Sequence, residues 1–553
     1  MRRLERFGFL LVLFFVGLLF IVFRPIFFQE QPDFTLRLLH TNDHHAHLEP
    51  IKVEERELGG IARRKTLIEQ LRSHSAAKGE PVLLLSAGDI FQGTLYFNQY
   101  LGKADLDFYN ALQYDVVTIG HHEFDKGEQV LADFIAGATF PIISANIQTT
   151  DTSPLAGKIK PWVILTRNQQ KIGIFGLTTE QTAIASNPGA DITFMDAIAA
   201  AKKAVQELTA QGVNKIIALT HIGFTHDLEL ARQVAGIDVI VGGHSHTPVG
   251  NIKEAISATG VRGALAPYPV VEKASDRSSV LIVTDWRWGK YLGDLQVGFN
   301  QTGQLVSWKG SPHRIDSSIA PDATFQTKLN QYAIPVKALQ QKIIGKSTVM
   351  IDGERANIRT TETNLGNLIA DAILEKTRPN KTQLAIINSG GIRGSIPVGD
   401  ITAGRVLEVL PFFNTIACLD LTGNQVKQAL ENGVSRVGVE EGKGQFPHVS
   451  GLRFVWNPDA PVGSRIVDIQ VRDTDSSYKP INSNATYRIA INNFMMKGGD
   501  GYSILTQGKN KIDTGIDQAD ALIDYITAKS PINPQIEGRI IRGKQPFILM
   551  PDR

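Results

Sequence analysis

Histidine and aspartate residues recur at the ends of short apolar segments, where their side chains could bind metal ions. In TIGHHEFD, residues 118–125, two histidines are adjacent, and neighbouring side chains on an extended segment point to opposite sides, so the two imidazoles are expected to do different jobs. Imidazole and carboxylate ligands suit zinc, manganese, iron or cobalt. Two such ions about 3.5–4 Å apart can polarise a phosphoryl oxygen and generate hydroxide at neutral pH. The candidate ligands and catalytic groups are Asp43, His45, Asp89, His121, His122, His221, His244 and His246.

Strands separated by helices are needed to bring these residues together. The apolar segments FTLRLLHTND, PVLLLSAGD, YDVVTIGHHEFD, NKIIALTHIG and IDVIVGGHSH each predict a β-strand that ends at a candidate ligand. Helical patterns lie between them, for example FMDAIAAAKKAVQELTAQG. Alternating strands and helices indicate an α/β domain, in which ligands collect beyond the carboxyl ends of the strands.

The character of the sequence changes beyond the last of these strands. Residues 316–342 predict a connector helix interrupted by Pro335, and β-rich segments with new polar loops follow. We therefore predict a first domain over 34–315 and a second over 343–553. No short-period repeat or low-complexity tract is found.

Composition excludes several classes of protein and of site. The net charge of the 553 residues is +2, which offers no broad basic field for a nucleic-acid polymer. The single cysteine, Cys418, excludes an internal disulfide framework and a thiolate-rich zinc site. Nothing in the sequence calls for an obligate protein partner.

An uncharged apolar segment at Phe7–Phe23 follows three arginines and would span about 26 Å as a helix, close to the thickness of a membrane. We interpret residues 1–33 as an uncleaved signal-anchor and short linker, with a cleaved secretion signal as the alternative. Either interpretation places the remaining chain outside the cytoplasm, in the periplasm or at the cell surface.

Five blocks together resemble the 5'-nucleotidase family of calcineurin-like metallophosphoesterases: LHTNDHHAH, SAGDIFQGT, IGHHEFDKG, LTHIGF and VGGHSHTP. The resemblance extends from about residue 34 to about 545. It implies an N-terminal four-layer β-sandwich flanked by helices and a C-terminal α/β domain that binds the nucleotide. It also implies two divalent ions per chain, zinc, manganese, cobalt or iron, with Asp89 as the bridging ligand.

The same resemblance implies a role for each candidate. Asp43, His45 and His246 would bind one ion, and His221 and His244 the other. His122 would be the catalytic imidazole, close to the phosphate but off the metal, with Asp125 as its orienting partner. The family usually has asparagine where this chain has His121, so we expect His121 to bind the second ion and His122 to face the phosphate; the alternative is that His121 turns aside.

The second half supplies groups that could hold the rest of a nucleotide. RTTETNLGN contains Arg359, Asn364 and Asn367, and NSGGIRGSI contains a glycine pair beside an arginine. Glycines let backbone amides approach an anion, and guanidinium groups suit phosphate. The resemblance implies a nucleoside between two aromatic rings, with polar groups around it. The expected pocket residues are Arg359, Asn388, Gly390, Gly391, Arg393, Phe412, Phe494 and Asp500.

These inferences favour a two-metal phosphohydrolase that acts on extracytoplasmic nucleoside 5'-monophosphates. Alternatives on the same scaffold are a UDP-sugar hydrolase, a nucleoside di- or triphosphatase, and a 2',3'-cyclic nucleotide phosphodiesterase with 3'-nucleotidase activity. His121 leaves open a catalytically degenerate nucleotide-binding protein or a sulfur-compound hydrolase. Because the metal ligands and the pocket lie in different halves, we also expect the two domains to rotate during turnover.

Overall fold

The structure is a computed structural model that describes residues 31–53, 55–253, 266–412, 414–437, 444–473 and 477–547. The segment Phe7–Phe23, interpreted above as an anchor or signal, lies outside the described residues. Within the described ranges, no helix is both long and apolar enough to cross a membrane.

Two mixed sheets form the centre of the N-terminal half. In spatial order, the first contains Leu305–Gly310, Tyr291–Phe299, Phe34–Thr41, Val82–Ser86, Val116–Thr118 and Ile142–Ile143, with His313–Arg314 also paired to Tyr291–Phe299. The second contains Val270–Lys273, Ser279–Val283, Val239–Gly242, Ile216–His221, Gln170–Thr178 and Trp162–Arg167. Two short antiparallel pairs join Pro50–Val53 to Arg56–Gly59, and Ile147–Thr149 to Ile192–Phe194.

Alternating side chains explain how the sheets stack. Leu38 points into the core between the two sheets, whereas its neighbour Leu39 points to the opposite face, as the period of two requires. In the second sheet, Ile217 faces the first sheet and Ala218 faces the helices behind it. The order helix, sheet, sheet, helix confirms the predicted four-layer α/β architecture.

Helices cover the outer faces of both sheets. Those on the first sheet are Ile61–Ala76, Leu95–Tyr100, Lys103–Leu112 and Gly127–Gly137, and those on the second are Ala197–Ala210 and Phe224–Gln233. The short helices Thr182–Ala185 and His122–Phe124, the latter a 3₁₀ turn, lie in loops.

The connector is one helix, Ala323–Gln341, that continues through Pro335 rather than being interrupted there. Proline removes one backbone N–H from the helix, and the hydroxyl of Tyr100 donates to the nearby carbonyl of Tyr332 at 2.9 Å. The apolar face of the helix packs into the core of the N-terminal half, and at its end Gln340 lies so close to Gly404 that a Cβ there would be 2.6 Å from the Gln340 Cα. The connector thus touches both halves.

The C-terminal half is built on a five-stranded mixed sheet with helices on both faces. In spatial order its strands are Pro447–Ser450, Leu384–Asn388, Thr486–Asn492, Thr415–Thr422 and Lys509–Asp517. The helices are Arg355–Ile358, Asn364–Lys376, Ala403–Val409, Gly423–Val434, Asn493–Met496 and Gln518–Lys529, with 3₁₀ turns at Arg378–Asn380, Ser389–Gly391, Gly499–Gly501 and Ser503–Gln507. A smaller sheet contains Tyr478–Pro480, Ile466–Arg472, Leu452–Trp456 and Ile540–Arg542, and Ile343–Ser347 pairs with Gly399–Thr402.

Candidate active site

The carboxyl ends of parallel strands bring the candidate metal ligands together. In the first sheet, Phe34–Thr41, Val82–Ser86 and Val116–Thr118 are parallel neighbours. In the second sheet, Ile216–His221 and Val239–Gly242 are parallel neighbours. Each strand ends at or just before a candidate ligand, so the two sheets deliver their ligands to one edge of the sandwich. In chain order these ligands are Asp43, Asp89, His121, His221 and His244.

Several of these residues adopt the left-handed backbone conformation. The φ angles are 49° at Asp43, 51° at His45, 52° at Asp89, 76° at His244 and 53° at His246. This conformation is uncommon for residues other than glycine, and strain of this kind concentrates at functional sites because the surrounding structure must hold it. The loops are therefore shaped to aim side chains into the site.

One group of ligands consists of Asp43, His45 and His246. The Nε2 atom of His246 lies 3.1 Å from Asp43 Oδ1 and 3.1 Å from the Nε2 atom of His45. The other ring nitrogen of His45, Nδ1, lies 3.2 Å from the carbonyl of Phe91, which leaves Nε2 facing the group.

A second group consists of His121, His221 and His244, which lie close enough to share an ion. His221 Nδ1 lies 2.7 Å from the Ala87 carbonyl, so its Nε2 faces the site. Asp89 lies between the groups: its Oδ2 is 3.0 Å from His221 Nε2, 3.2 Å from His121 Nδ1 and 3.8 Å from His45 Nε2. The structure thus places His121 with the second group, on the same side as His221.

Two buried polar atoms of the site lack a hydrogen-bond partner in the described part of the chain, as expected for atoms that bind cations. Asp89 Oδ2 and His244 Nδ1 are buried and have no hydrogen-bond partner among the described residues. Burial raises the pKa of Asp89, but His121, His221 and His122 outweigh that effect and lower it well below its usual value. Burial holds the pKa values of His45 and His244 well below their usual range, so both rings are neutral and can offer a lone pair. An anionic oxygen among neutral imidazoles is a donor set for divalent metal ions.

Glu123 supports the Asp89 loop, a role that the sequence did not reveal. Its carboxylate accepts backbone N–H groups from Asp89 (3.0 Å), Ile90 (2.7 Å), Phe91 (3.1 Å) and Gly120 (2.6 Å). Burial and repulsion from Asp89 raise the pKa of Glu123 to about 7. Glu123 therefore holds together the two loops that carry Asp89 and His121.

The His122 ring lies beside the His121 ring, with centroids 4.0 Å apart, and its Nδ1 faces a chain of hydrogen bonds. Its Nδ1 lies 2.6 Å from Asp125 Oδ2, and the Ser186 hydroxyl donates to Asp125 Oδ1 at 2.6 Å. Burial lowers the pKa of His122, but Asp125 and Asp89 outweigh it and raise the pKa to about 9. A protonated imidazole facing the site can stabilise negative charge or donate a proton.

A cavity of about 630 Å³ adjoins His121 and His122 and reaches into the C-terminal half. Phe412 stacks on His122 with ring centroids 5.9 Å apart, and Asn388 donates to Asp500 Oδ2 at 2.6 Å. Burial raises the pKa of Asp500. All eight predicted pocket residues line this cavity: Arg359, Asn388, Gly390, Gly391, Arg393, Phe412, Phe494 and Asp500.

Two asparagines that were expected near the nucleotide lie elsewhere. Asn364 and Asn367 do not line the cavity: Asn364 donates to the Met350 carbonyl at 2.9 Å, and Asn367 donates to Glu362 at 2.7 Å. Both asparagines tie the start of their helix to neighbouring loop residues instead, including the carbonyls of Pro534 and Gln535. The sequence did not single out several other polar residues that line the cavity, because no local pattern marks them. They are Gln181, Ser186, Asn187, Asn414, Asn493 and Lys497.

Comparison with known proteins agrees with this geometry. Residues 36–248 match the family model for the calcineurin-like phosphoesterase, and residues 343–507 match the 5'-nucleotidase C-terminal domain. The chain is 36% identical to the snake venom 5'-nucleotidase of Crotalus adamanteus, over 92% of this chain and 89% of that protein. It is 37% identical to the trifunctional nucleotide phosphoesterase protein YfkN of Bacillus subtilis, over 91% of this chain but only 35% of that longer protein.

Among solved structures, the crystal structure of a 5'-nucleotidase precursor from Thermus thermophilus is 44% identical, with a TM-score of 0.77, and the alignment covers 93% of this chain and all of that one. The similarity thus extends over both halves of the chain.

Proposed function

The chain belongs to the 5'-nucleotidase family and is a phosphoric monoester hydrolase, and we propose that it converts nucleoside 5'-monophosphates into nucleoside and phosphate with two divalent ions. Asp43, His45 and His246 would hold one ion, and His121, His221 and His244 the other, with Asp89 bridging. The donor set of imidazoles and carboxylates suits zinc, manganese, cobalt or iron.

The position of His122 is the observation that best supports a nucleotide as the substrate. It contacts the metal-ligand cluster through its backbone N–H, which donates to Asp89 Oδ1 at 3.0 Å, and it contacts the cavity through the Phe412 ring. A phosphate beside His122 would therefore have a metal centre on one side and a pocket for its leaving group on the other.

The residues that would surround the phosphate have different roles in the reaction. Bound divalent ions polarise phosphoryl oxygens and lower the pKa of water. The protonated His122 ring stabilises charge on the phosphoryl oxygens, and Asp125 keeps it protonated and oriented. Arg359 and Arg393 add positive charge where the two halves meet, and Phe412 with Phe494 offers flat surfaces to a base.

Phosphate release from a panel of nucleotides tests the proposal. Purified, metal-loaded protein should release phosphate from nucleoside 5'-monophosphates. His122→Ala should nearly abolish turnover while elemental analysis still finds the metal, whereas Asp89→Ala should lose both. The exposed Glu229→Gln serves as a matched control. Full activity of Asp89→Ala would refute the two-metal proposal, and nucleotide binding without release by the wild-type protein would instead indicate a degenerate enzyme. UDP-sugars and 2',3'-cyclic nucleotides in the panel distinguish the alternative substrates.

We also propose that the enzyme works outside the cytoplasm. The apolar segment Phe7–Phe23 and the arginines before it support this location, and a chain with a single cysteine tolerates an oxidising compartment. Cell fractionation would test it, and the N-terminal sequence of the mature protein would show whether the segment is retained as an anchor or cleaved. Recovery of full-length protein only in the cytoplasm would contradict the proposal.

A further inference from the structure

A charged side chain is buried behind the loop that carries two of the metal ligands. Arg64 lies near the start of the helix Ile61–Ala76 and is completely buried. A guanidinium group keeps its charge and has five N–H donors but no acceptor, so its burial is costly unless it has partners. The Nε and Nη1 atoms of Arg64 have no hydrogen-bond partner among the described residues. The remaining contacts of Arg64 therefore indicate which part of the structure the buried charge fixes.

The first contact is with His44, which stands between the metal ligands Asp43 and His45 in the sequence. The Nη2 atom of Arg64 donates to His44 Nδ1 at 3.0 Å. Because arginine can only donate, the His44 ring is neutral and carries its proton on Nε2. That atom lies 3.3 Å from Asp105 Oδ1, on the helix Lys103–Leu112. Both nitrogens of the buried His44 ring thus contact side chains from two different helices.

The loop around His44 needs support because its backbone is strained. Asp43 and His45 have φ angles of 49° and 51°, a conformation that costs energy in residues other than glycine. The backbone N–H groups of Asp43 and His45 donate to the carbonyls of Gly88 and Asp89, each at 3.0 Å. These bonds hold the loop on the side of the metal site, and the His44 ring holds it on the side of the core.

A second set of contacts leads from Arg64 to the carboxylate of Asp43. Burial raises the pKa of Asp285 well above its usual value, and the charge of Arg64 opposes that shift. Asp285 Oδ1 accepts the Asn42 N–H at 3.2 Å, and Asn42 Oδ1 accepts the Asp285 N–H at 2.8 Å. The Nδ2 atom of Asn42 donates to Asp43 Oδ2 at 2.7 Å, which leaves Asp43 Oδ1 facing His246 at 3.1 Å. Arg64 thus favours the ionised Asp285 that keeps Asn42 in place to orient Asp43.

A glycine turn accommodates the other side of the Arg64 guanidinium. Gly289 has a φ angle of 59°, and a Cβ atom at this position would lie 1.7 Å from Arg64 Nη2. The guanidinium therefore packs directly on the backbone of this turn, which only glycine permits. In the same turn, the Trp288 N–H donates to the Asp43 carbonyl at 2.7 Å. The turn is a third connection between Arg64 and the loop that carries Asp43.

We propose that Arg64 is a positioning residue of the metal centre, which holds Asp43 and His45 in the geometry that binds the ion they share. It acts through His44 on the loop and through Asp285 on the Asp43 carboxylate. The inference rests on the proposed function, because it takes the ligands assigned there to this ion. Residues that orient metal ligands from outside change metal affinity about 10- to 100-fold. The other ion, whose imidazole ligands come from other loops, should respond much less to a change at Arg64.

The zinc affinity of the full-length protein tests the inference. Arg64→Met removes the charge and the hydrogen-bond donors but keeps most of the side-chain volume. Zinc-loaded protein is dialysed against graded chelator, and the zinc that remains is counted by elemental analysis. One of the two ions should dissociate from Arg64→Met at a free zinc concentration about 10- to 100-fold higher than in the parent. Anomalous scattering from crystals of the partly depleted variant should find zinc missing beside Asp43 and retained beside His221.

A second variant and a matched control separate positioning from a general loss of stability. His44→Phe keeps a ring in the core but removes the acceptor of the Arg64 hydrogen bond, so it should weaken the same ion even if Arg64→Met does not fold. In the double variant Arg64→Met/His44→Phe, the fold-change in affinity should be smaller than the product of the two single effects, because the residues act along one path. Arg37→Met is the control: Arg37 is also buried, and it pairs with Asp294 at 2.6 Å rather than with the metal-ligand loop. This change should lower the free energy of unfolding and leave the affinity for both ions unchanged.

The outcomes also distinguish this inference from the proposed function. Selective weakening of the ion beside Asp43 in Arg64→Met or His44→Phe supports the positioning role. Unchanged affinities, equal weakening of both ions, or a loss no larger than that in Arg37→Met overturns the positioning role, while nucleotide hydrolysis by the two-metal parent still supports the proposed function. A parent protein that binds no pair of ions overturns both.

Discussion

The Nδ1 atom of His122 and the Oδ2 atom of Asp125 lie 2.6 Å apart. This contact favours the protonated form of the imidazole. Burial alone would lower the pKa of His122, and the carboxylate is the first of the groups that reverse this effect and raise it to about 9. An opposite charge at this distance stabilises the protonated ring by the same electrostatic effect that shifts its pKa.

Asp125→Asn should move the alkaline limb of the pH profile. A group is protonated below its pKa, so lowering the pKa of His122 makes the ring lose its proton at lower pH. If protonated His122 is the active form, kcat/KM should begin to fall about 1–3 pH units lower than in the parent. Ser186→Ala, which removes a hydrogen bond to Asp125 but keeps the charge, should shift the limb less. Identical profiles for Asp125→Asn and the parent would contradict this role of Asp125.

His121→Asn should weaken one metal site and largely preserve turnover. Imidazole is a stronger donor than an amide oxygen, and His121 Nδ1 lies 3.2 Å from the bridging Asp89. Dialysis against graded chelator, followed by elemental analysis, should show that one of two ions is lost earlier than in the parent. An unchanged chelator profile would indicate that His121 is not a ligand.

Glu123→Gln should loosen the Asp89 loop. The amide nitrogen of glutamine would face backbone N–H groups that now donate to a carboxylate, which leaves donors unsatisfied. We expect a loss of about 1–3 kcal/mol in the free energy of unfolding, measured in urea, together with weaker metal binding. The exposed Glu229→Gln should change neither quantity; a similar response of both variants would argue against a specific role for Glu123.

A crosslink across the two halves should test whether they must rotate. Lys497 Nζ of the C-terminal half donates to the Ser186 carbonyl and to Asn187 Oδ1, each at 3.2 Å. Joining Asn187→Cys and Lys497→Cys with a short reversible thiol crosslinker should reduce turnover, and cleaving the crosslink should restore it. Cys418 is buried and should not react. Full turnover of the crosslinked protein would rule out an obligatory rotation.

Asp238→Asn should flatten the pH dependence of stability. Asp238 accepts the Ile216 N–H at 2.8 Å, and burial raises its pKa to about 7. The folded protein therefore binds a proton that the unfolded chain has already released, so this group stabilises the fold at low pH and the contribution is lost as the pH rises from about 4 to about 7. Urea unfolding at pH 5 and pH 8 should differ less in the variant than in the parent. An equal difference would contradict the assignment.

The chemistry of the metal cluster could be predicted from the sequence because it depends on local pattern. Apolar strands that end in aspartate or histidine are visible in the amino-acid order, and the carboxyl ends of parallel strands meet at the same edge of a sheet. The alternation of strands and helices likewise indicated an α/β domain, whereas the four layers were expected from the family resemblance. Pro335 was misleading, since the helix around it is held by packing that the local sequence does not contain.

Only the tertiary structure decided which distant residues meet. Asn364 and Asn367 stand in the same segment as Arg359, yet they bond to the carbonyls of Pro534 and Gln535, far along the chain, and of the three only the arginine lines the cavity. Glu123 became a support for Asp89 because two loops from different strands approach each other there. One chamber is lined by arginines from both halves of the chain, Arg287, Arg355 and Arg393. They meet only because the sheets, the connector helix and the C-terminal half fold onto one another. Such contacts depend on long-range packing, which leaves no periodic signal in the sequence.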